Sequence, residues 1–241
     1  MRLLNLKTGA RPVIVHAQGG HGYKPHWEAI LEALFAEPPA DSPADERLTV
    51  ITCNNGAEGM GLFERSLDRL GARYCVAGRG VARWSNARDK PPAILEVLRK
   101  VETPYVLYAD SRDAIALEAP ALLLPRFLAR SCRMVFSADM MNWPPVREFQ
   151  KFEDSIPGAR ESDFRYLNGG VWIGEVSFCR DFFAEAVRTP PRAEAAESEQ
   201  GILKQLFPRF FPDVQLDYRC EMFQNIGFVG KPIFRIETGP S

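Results

Sequence analysis

The sequence predicts an α/β protein built on a mostly parallel sheet covered by helices on both faces. Short apolar, β-branched runs alternate along the chain with stretches whose apolar residues recur at helical spacing, and such alternation means parallel strands joined by helical crossovers. Several apolar runs also end abruptly in polar or acidic residues, as strands do where they leave a buried sheet.

The elements follow in chain order. Residues 12–16 (PVIVH) form the first strand, and 26–36 a helix with Trp27, Ile30, Leu31, Leu34 and Phe35 on one face. Residues 37–47 (EPPADSPADER), rich in Pro, Asp and Ser, form a connecting loop. LTVITC (48–53) is a strand, GLFERSLDRLG (61–71) a helix stopping at Gly71, and RYCVAG (73–78) a strand. PPAILEVLRKV (91–101) is a helix with proline at its start and basic residues near its end. PYVLYAD (104–110) and RMVFSAD (133–139) are both apolar strands ending in Asp. YLNGGVWIG (166–174) reads as two short strands around a tight turn. Helices near 177–188 and 198–207 and strands near 213–217 and 221–228 complete the pattern. No internal repeat or low-complexity tract interrupts it, and the length of 241 residues fits one domain spanning 1–241.

Composition narrows the function classes. Lys+Arg total 30 against 31 Asp+Glu, a net charge of −1 that argues against a dedicated nucleic-acid binder. The five cysteines are odd in number and lack a CxxC pair, so they read as reduced thiols of a cytoplasmic protein. The N-terminus has no apolar core long enough for a signal peptide, and the most apolar later stretch, AIALEAPALLLPRFLA, is broken by Glu118, Pro120, Pro125 and Arg126, so no membrane span is expected.

Two stretches carry chemistry. In YVLYADSRDAIAL (105–117), Asp110 leaves the sheet at a strand's carboxyl end and Asp113 follows three residues later. Ligands of such sheets bind at that edge, and a tight turn there aims two carboxylates at one point, as a hard divalent cation requires. The alternative is that Asp110 caps the next element and Asp113 is a solvated loop residue. In HAQGGHGYKPHW (16–27), His16 directly follows a strand, with Gly19, Gly20 and Lys24 behind it. A neutral imidazole ligates Mn2+, glycines admit a ligand close to the backbone, and a lysine suits a phosphate. Each piece also has a structural reading, as a hydrogen-bonded core histidine, a plain turn and a helix start.

Together these pieces resemble a GT-A glycosyltransferase, the nucleotide-sugar-dependent fold with an Asp-x-Asp-type metal motif. HAQGGHGYKPHW is similar to the His-x-x-Gly…Lys-Pro-x-Trp signature of glycosyltransferase family 8, the glycogenin-like retaining enzymes. The remainder resembles the glycosyltransferase domain of procollagen lysyl hydroxylases: YADSRDAI its Asp-x-x-Asp strand end, VFSADMMNWP its Ala-Asp…Trp-Pro segment, YLNGGVWIG its hairpin, and LDYRCEMFQNI its Phe-Gln-Asn ending. ESEQGILKQLF stands where that family has Asp-Asp-Gln, with Ser198 and Glu199 replacing the pair. In those families the His-x-x-Gly piece follows the Phe-Gln-Asn segment, whereas here it precedes everything else. The chain thus reads as circularly permuted, with residues 1–36 the displaced segment, 37–47 the connection and 48–241 the nucleotide-sugar and acceptor part.

The resemblance implies a metal site of Asp110, Asp113 and His16 holding Mn2+ (or Mg2+), a UDP-sugar donor, an acceptor of unknown identity, and retention of anomeric configuration. It implies catalytic positions at Glu199 and Asn168. It places Thr52, Asn54 and Trp84 by the uridine, Lys24 and Gly19 by the pyrophosphate, and Lys90, Gly169, Gly170 and Gln200 by the donor sugar. Several of these keep a structural reading: Trp84 as core, Lys90 as a helix-start charge, Asn168 to Gly170 as a turn, Glu199 and Gln200 as a helix cap. Two rivals stand beside the glycosyltransferase. A nucleotidyltransferase should carry a basic residue in its first Gly-rich loop, which TCNNGAEGMG lacks. A catalytically silent sugar-nucleotide-binding module would dispense with Asp110, Asp113 or His16, and all three are present.

Overall fold

The computed structural model describes residues 1–19, 26–38, 43–227 and 233–237. In chain order the elements are β1 (Arg2–Asn5), β2 (Ile14–His16), α1 (Trp27–Ala36), β3 (Leu48–Cys53), α2 (Leu62–Arg69), β4 (Cys75–Ala77), α3 (Asn86–Leu98), β5 (Tyr105–Ala109) and β6 (Ala114–Ala116). They continue with α4 (Leu123–Leu128), β7 (Met134–Asp139), α5 (Arg147–Ser155), α6 (Pro157–Arg160), β8 (Tyr166–Glu175), α7 (Val176–Arg188), α8 (Glu199–Phe210), β9 (Val214–Leu216), β10 (Phe223–Asn225) and β11 (Phe234–Glu237).

A six-stranded sheet in the order β4-β3-β5-β8-β7-β9 forms the centre. Its β3–β4, β3–β5 and β7–β9 pairs are parallel, and β8 runs antiparallel between β5 and β7. Alternate residues of each strand face opposite cores, as the pleat requires. Val106, Tyr108, Phe136 and Trp172 pack with α3, α7 and α8, whereas Leu107, Ala109, Val135 and Ile173 pack with α2 and α4. Both faces are therefore buried, which is why these strands read as unbroken apolar runs. A three-stranded sheet, β10-β2-β6, lies at the carboxyl end of β5, and β1 pairs with β11.

Three expectations change in detail. YLNGGVWIG lies within one ten-residue strand, β8, not a hairpin. Against β7 its register jumps from Trp172 opposite Phe136 to Asn168 opposite Ser137, leaving 169–171 outside that ladder while Val171 still pairs with Ala109 of β5. Two adjacent glycines without side chains let the backbone bulge there, and a sequence signal for a turn is the same as for a bulge. Helix α3 starts at Asn86, ahead of Pro91, because Asp89 reaches back to accept the Ser85 backbone N–H at 2.6 Å. The Pro-rich connection carries no helix or strand at residues 37–38 and 43–47; 39–42 lie outside the described residues. Elements β1, β6, α4, α6 and β11 span six residues or fewer, too short for periodicity to reveal, and the nine-residue α5 was passed over. Among the described residues no helix is long and apolar enough to cross a membrane.

Helices α5 and α8 are tied by a buried ion pair. Lys204 on α8 lies 3.0 Å from Glu153 on α5 and donates to Asn142 Oδ1 at 2.7 Å, while Glu153 also accepts the Leu167 N–H of β8 at 2.7 Å. Burial lowers the Lys204 pKa and raises that of Glu153, so each is ionised at a cost that the partner offsets. Lys204→Met should lower stability by about 3–5 kcal/mol in a denaturant titration, because it strands a buried carboxylate. Adding Glu153→Gln, which keeps the acceptor for Leu167, should recover at least half of that loss.

Candidate active site

The site is assembled where β5 leaves the central sheet. Asp110 donates its backbone N–H to Gly170 O at 2.8 Å, and the Ala114 N–H bonds back to Asp110 O at 3.3 Å, so residues 110–113 form a tight turn into β6. Strand β6 then pairs with β2 so that Ala114 lies opposite His16, and the Ala17 N–H bonds Asp113 O at 2.7 Å. On its other side β2 runs parallel to β10, with His16 opposite Asn225. The first and last parts of the chain thus meet on the two carboxylates.

His16 is oriented by this pairing. Asn225 donates its amide to Ala138 O at 2.7 Å, so its Oδ1 is the acceptor for His16 Nδ1 at 2.9 Å. With Nδ1 donating to Asn225, Nε2 is turned toward the carboxylates, and in the neutral ring it is the lone-pair nitrogen. Nε2 lies 3.4 Å from Asp113 Oδ1 and 3.8 Å from Asp110 Oδ2, is buried, and has no hydrogen-bond partner. One ligand atom from each of the three residues falls within 4.8 Å of the others. Burial disfavours the imidazolium, but Asp113 and Asp110 outweigh it and raise the His16 pKa. Gly170 makes room: a Cβ there would sit 2.1–2.7 Å from the imidazole ring.

Asp110 is held from the opposite side. Its Oδ1 accepts the Tyr108 hydroxyl at 2.5 Å and pairs with Lys90 Nζ at 2.7 Å, leaving Oδ2 for the His16 side. Lys90 is nearly fully buried, 3.4 Å from Glu199 Oε2 and 5.2 Å above the Tyr108 ring. Burial works against its charge, yet Asp110 and Glu199 prevail and raise its pKa, so it stays an ammonium. Glu199 opens α8, and its Oε1 is buried without a partner. Burial, reinforced by Asp110 and only partly offset by Lys90, pushes the Glu199 carboxyl up to about 7.

Two cavities meet at Asn86, Lys90, Asp110 and Asp113. The first, about 450 Å³, contains Gly19, Asn168, Gly170, Glu199 and Gln200 in its wall. The second, about 560 Å³, is bounded by Asn54, Trp84 and Arg112. Asn168 is fixed by donating to Asp139 Oδ2 at 3.1 Å and accepting the Gly170 N–H at 2.9 Å. Gln200 accepts the Gly169 N–H at 3.2 Å and donates to Trp143 O at 2.5 Å. Thr52 lies beneath the cavities, fully buried, its hydroxyl donating to Ala109 O at 2.7 Å. Gly169 sits behind the wall, where a Cβ would approach Leu203 Cδ1 to 2.6 Å. Lys24 lies outside the described residues.

Sequence reasoning passed over four residues that shape the site: Tyr108, Asn225, Asp139 and Gln18. Asp139 had a signal, because RMVFSAD ends as PYVLYAD does. It is buried in the first cavity and accepts Gln18 Nε2 at 2.6 Å and the Met141 N–H at 3.0 Å, and burial raises its pKa.

Glu199 gives a pH signature. Its folded-state pKa near 7 lies above the ordinary 4.5, so the folded protein holds this proton longer than the unfolded chain does. Stability of the metal-free protein should therefore fall as pH rises from about 4.5 to 7, by on the order of 3 kcal/mol at most. Glu199→Gln should flatten that fall; an unchanged profile, read by chemical denaturation in EDTA, contradicts the assignment.

Known proteins match this chain in sequence. The family model described as the PLOD GT domain matches residues 44–234. The chain is 25% identical over 224 residues to procollagen-lysine,2-oxoglutarate 5-dioxygenase 1 of Rattus norvegicus, covering 86% of this chain and 29% of that protein. It is 26% identical over 221 residues to the Homo sapiens protein of that name, with the same coverage. It therefore spans under a third of the length of these relatives. A solved structure of a glycosyltransferase involved in the glycosylation of the major capsid of PBCV-1 is similar at TM-score 0.45 and 12% identity, over 70% of this chain and 80% of that one. With its match covering most of the length, the chain belongs to the PLOD GT domain family and is a glycosyltransferase domain of GT-A type.

Proposed function

We propose that this glycosyltransferase is metal-dependent, takes a UDP-sugar as donor and transfers the sugar to a hydroxyl acceptor with retention. The observation that carries the reading is the bare, buried Nε2 of His16 facing Asp110 and Asp113. One imidazole nitrogen and two carboxylates suit Mn2+ or Mg2+ and leave coordination positions for phosphate oxygens. When bound, such an ion neutralises charge on a departing diphosphate. The UDP donor and retention rest on the resemblance to the two families, of which the glycogenin-like one is retaining.

The remaining roles belong to side chains. Asn225 fixes the His16 tautomer, and Tyr108 with Lys90 fixes Asp110, so the donor set is held before any ligand arrives. Asn54 and Trp84 wall the cavity on one side of the carboxylates, which we assign to the nucleotide. The opposite cavity, with Asn168, Gln200 and Glu199, we assign to the sugar. There Glu199 Oε1, buried and without a partner, is an acceptor for a sugar hydroxyl, and Lys90 keeps the other oxygen engaged. We read the chain as one circularly permuted domain, supported by β2 lying between β10 and β6 although the family match begins at residue 44. Five unbridged cysteines support a cytoplasmic setting.

Thermal shift tests the donor and the metal together. UDP with Mn2+ should raise the melting temperature, and do so much less in EDTA. Asp113→Asn should leave the chain folded and abolish the Mn2+-dependent shift. Greater stabilisation by GDP would overturn the uridine assignment, and an equal UDP effect in EDTA the metal requirement.

A further inference from the structure

A buried carboxylate on α2 lies directly behind the Asp110–Asp113 turn and is part of neither cavity wall. Glu64 is 1% exposed, and one of its oxygens gathers three donors. Oε1 accepts Ser111 Oγ at 2.7 Å, the Gly61 N–H at 3.1 Å and the Asn54 amide. Oε2 pairs with Arg79 at 2.8 Å. Burial alone would raise the carboxyl pKa, but the bonds from Asn54 and Ser111 outweigh it and lower it, so Glu64 is ionised.

What Glu64 grips is the inside of the metal turn, since Ser111 stands between the two aspartates. The same helix presses on that turn by backbone as well. The Phe63 N–H bonds Ser111 O at 2.9 Å, and a Cβ on Gly61 would meet Ser111 atoms at 2.0–2.6 Å. Further along, Ser66 Oγ accepts the Ala116 N–H at 2.9 Å, so α2 holds the segment at both ends. Through Asn54, which also donates to Gly59 O at 2.9 Å, the same carboxylate ties down the loop bounding the second cavity.

We propose that Glu64 is a positioning residue that, through Ser111, sets the spacing of Asp110 and Asp113 and so the cation affinity of their site. The inference rests on the cation reading given above. A fold-stabilising buried carboxylate needs no contact with the turn that carries both ligands. Removing a group that orients metal ligands typically weakens metal binding by 10- to 100-fold.

Mn2+ alone, titrated into the full chain with free Mn2+ followed by electron paramagnetic resonance, separates the cases. Glu64→Ala should weaken Mn2+ binding at least about tenfold. Ser111→Ala, which deletes one hydroxyl and keeps the fold intact if Glu64→Ala does not, should weaken it by a smaller but measurable factor, about threefold or more. Glu64→Gln should stay within about twofold of wild type, because its amide oxygen keeps the Ser111 bond while half-exposed Arg79 swings clear. If wild type binds Mn2+ and both Ser111→Ala and Glu64→Ala bind it equally well despite lowered melting temperatures, Glu64 is only a fold residue and the inference falls. A wild-type chain that takes up no Mn2+ overturns the cation reading itself and this inference with it.

Discussion

The arrangement at the cleft depends on one short pairing, the three residues of β2 inserted between β10 and β6. Opposite Ala114, His16 is brought over the Asp110–Asp113 turn; opposite Asn225, its ring is given one tautomer and one orientation. Neither the turn nor the histidine makes a donor set alone. The turn belongs to the central sheet, the histidine to the start of the chain, and only the small sheet brings them within reach. Gly170 completes the constraint from above, since any side chain there would occupy the volume of the imidazole. The bulge takes 169–171 out of the β7 ladder, while on the β5 side the pairing runs on past Ala109 opposite Val171 and Gly170 O accepts the Asp110 N–H.

Charge explains why this geometry suits a cation. Asp110, Asp113, Asp139 and Glu199 all face the first cavity, and Lys90 is the cation among its described lining residues. Burying so many carboxylates with one ammonium is costly. The pKa directions record that cost: burial raises Asp139 and Glu199, while His16 is raised by the carboxylates beside it. A divalent ion would relieve the imbalance for Asp110 and Asp113. Asp139, farther along the wall, is met by Gln18, Asn168 and the Met141 N–H, whereas Glu199 keeps one oxygen without a partner.

Much of this was legible in the sequence, for stated physical reasons. Strands buried on both faces announce themselves as apolar runs, so 48–53, 105–109 and 134–139 were readable nearly to the residue. The acidic ends of the latter two marked the edge where ligands bind, and a histidine ending a strand with glycines behind it marked a second ligand source. Strand β6, three residues long and cut from an apolar stretch that resembles core helix, had no such mark. The run Asn168 to Gly170 was misread as a hairpin because glycine serves turns and bulges alike. Thr52 was placed by motif position alone, and its hydroxyl is spent on a backbone carbonyl beneath the cavity. Glu64 could not have been singled out at all. Its importance comes from burial against Ser111, 47 positions away, and no local pattern encodes that separation.

Centrally, β2, through His16, and the Asp110–Asp113 turn share one divalent cation. Anomalous diffraction at the manganese edge, on crystals of the full chain grown with Mn2+ and UDP, tests it most directly. The account predicts one strong peak within bonding distance of His16 Nε2 and of carboxylate oxygens from both Asp110 and Asp113, with the diphosphate on its open side. A peak bound elsewhere, or one touching the aspartates with His16 Nε2 beyond bonding distance, would contradict it.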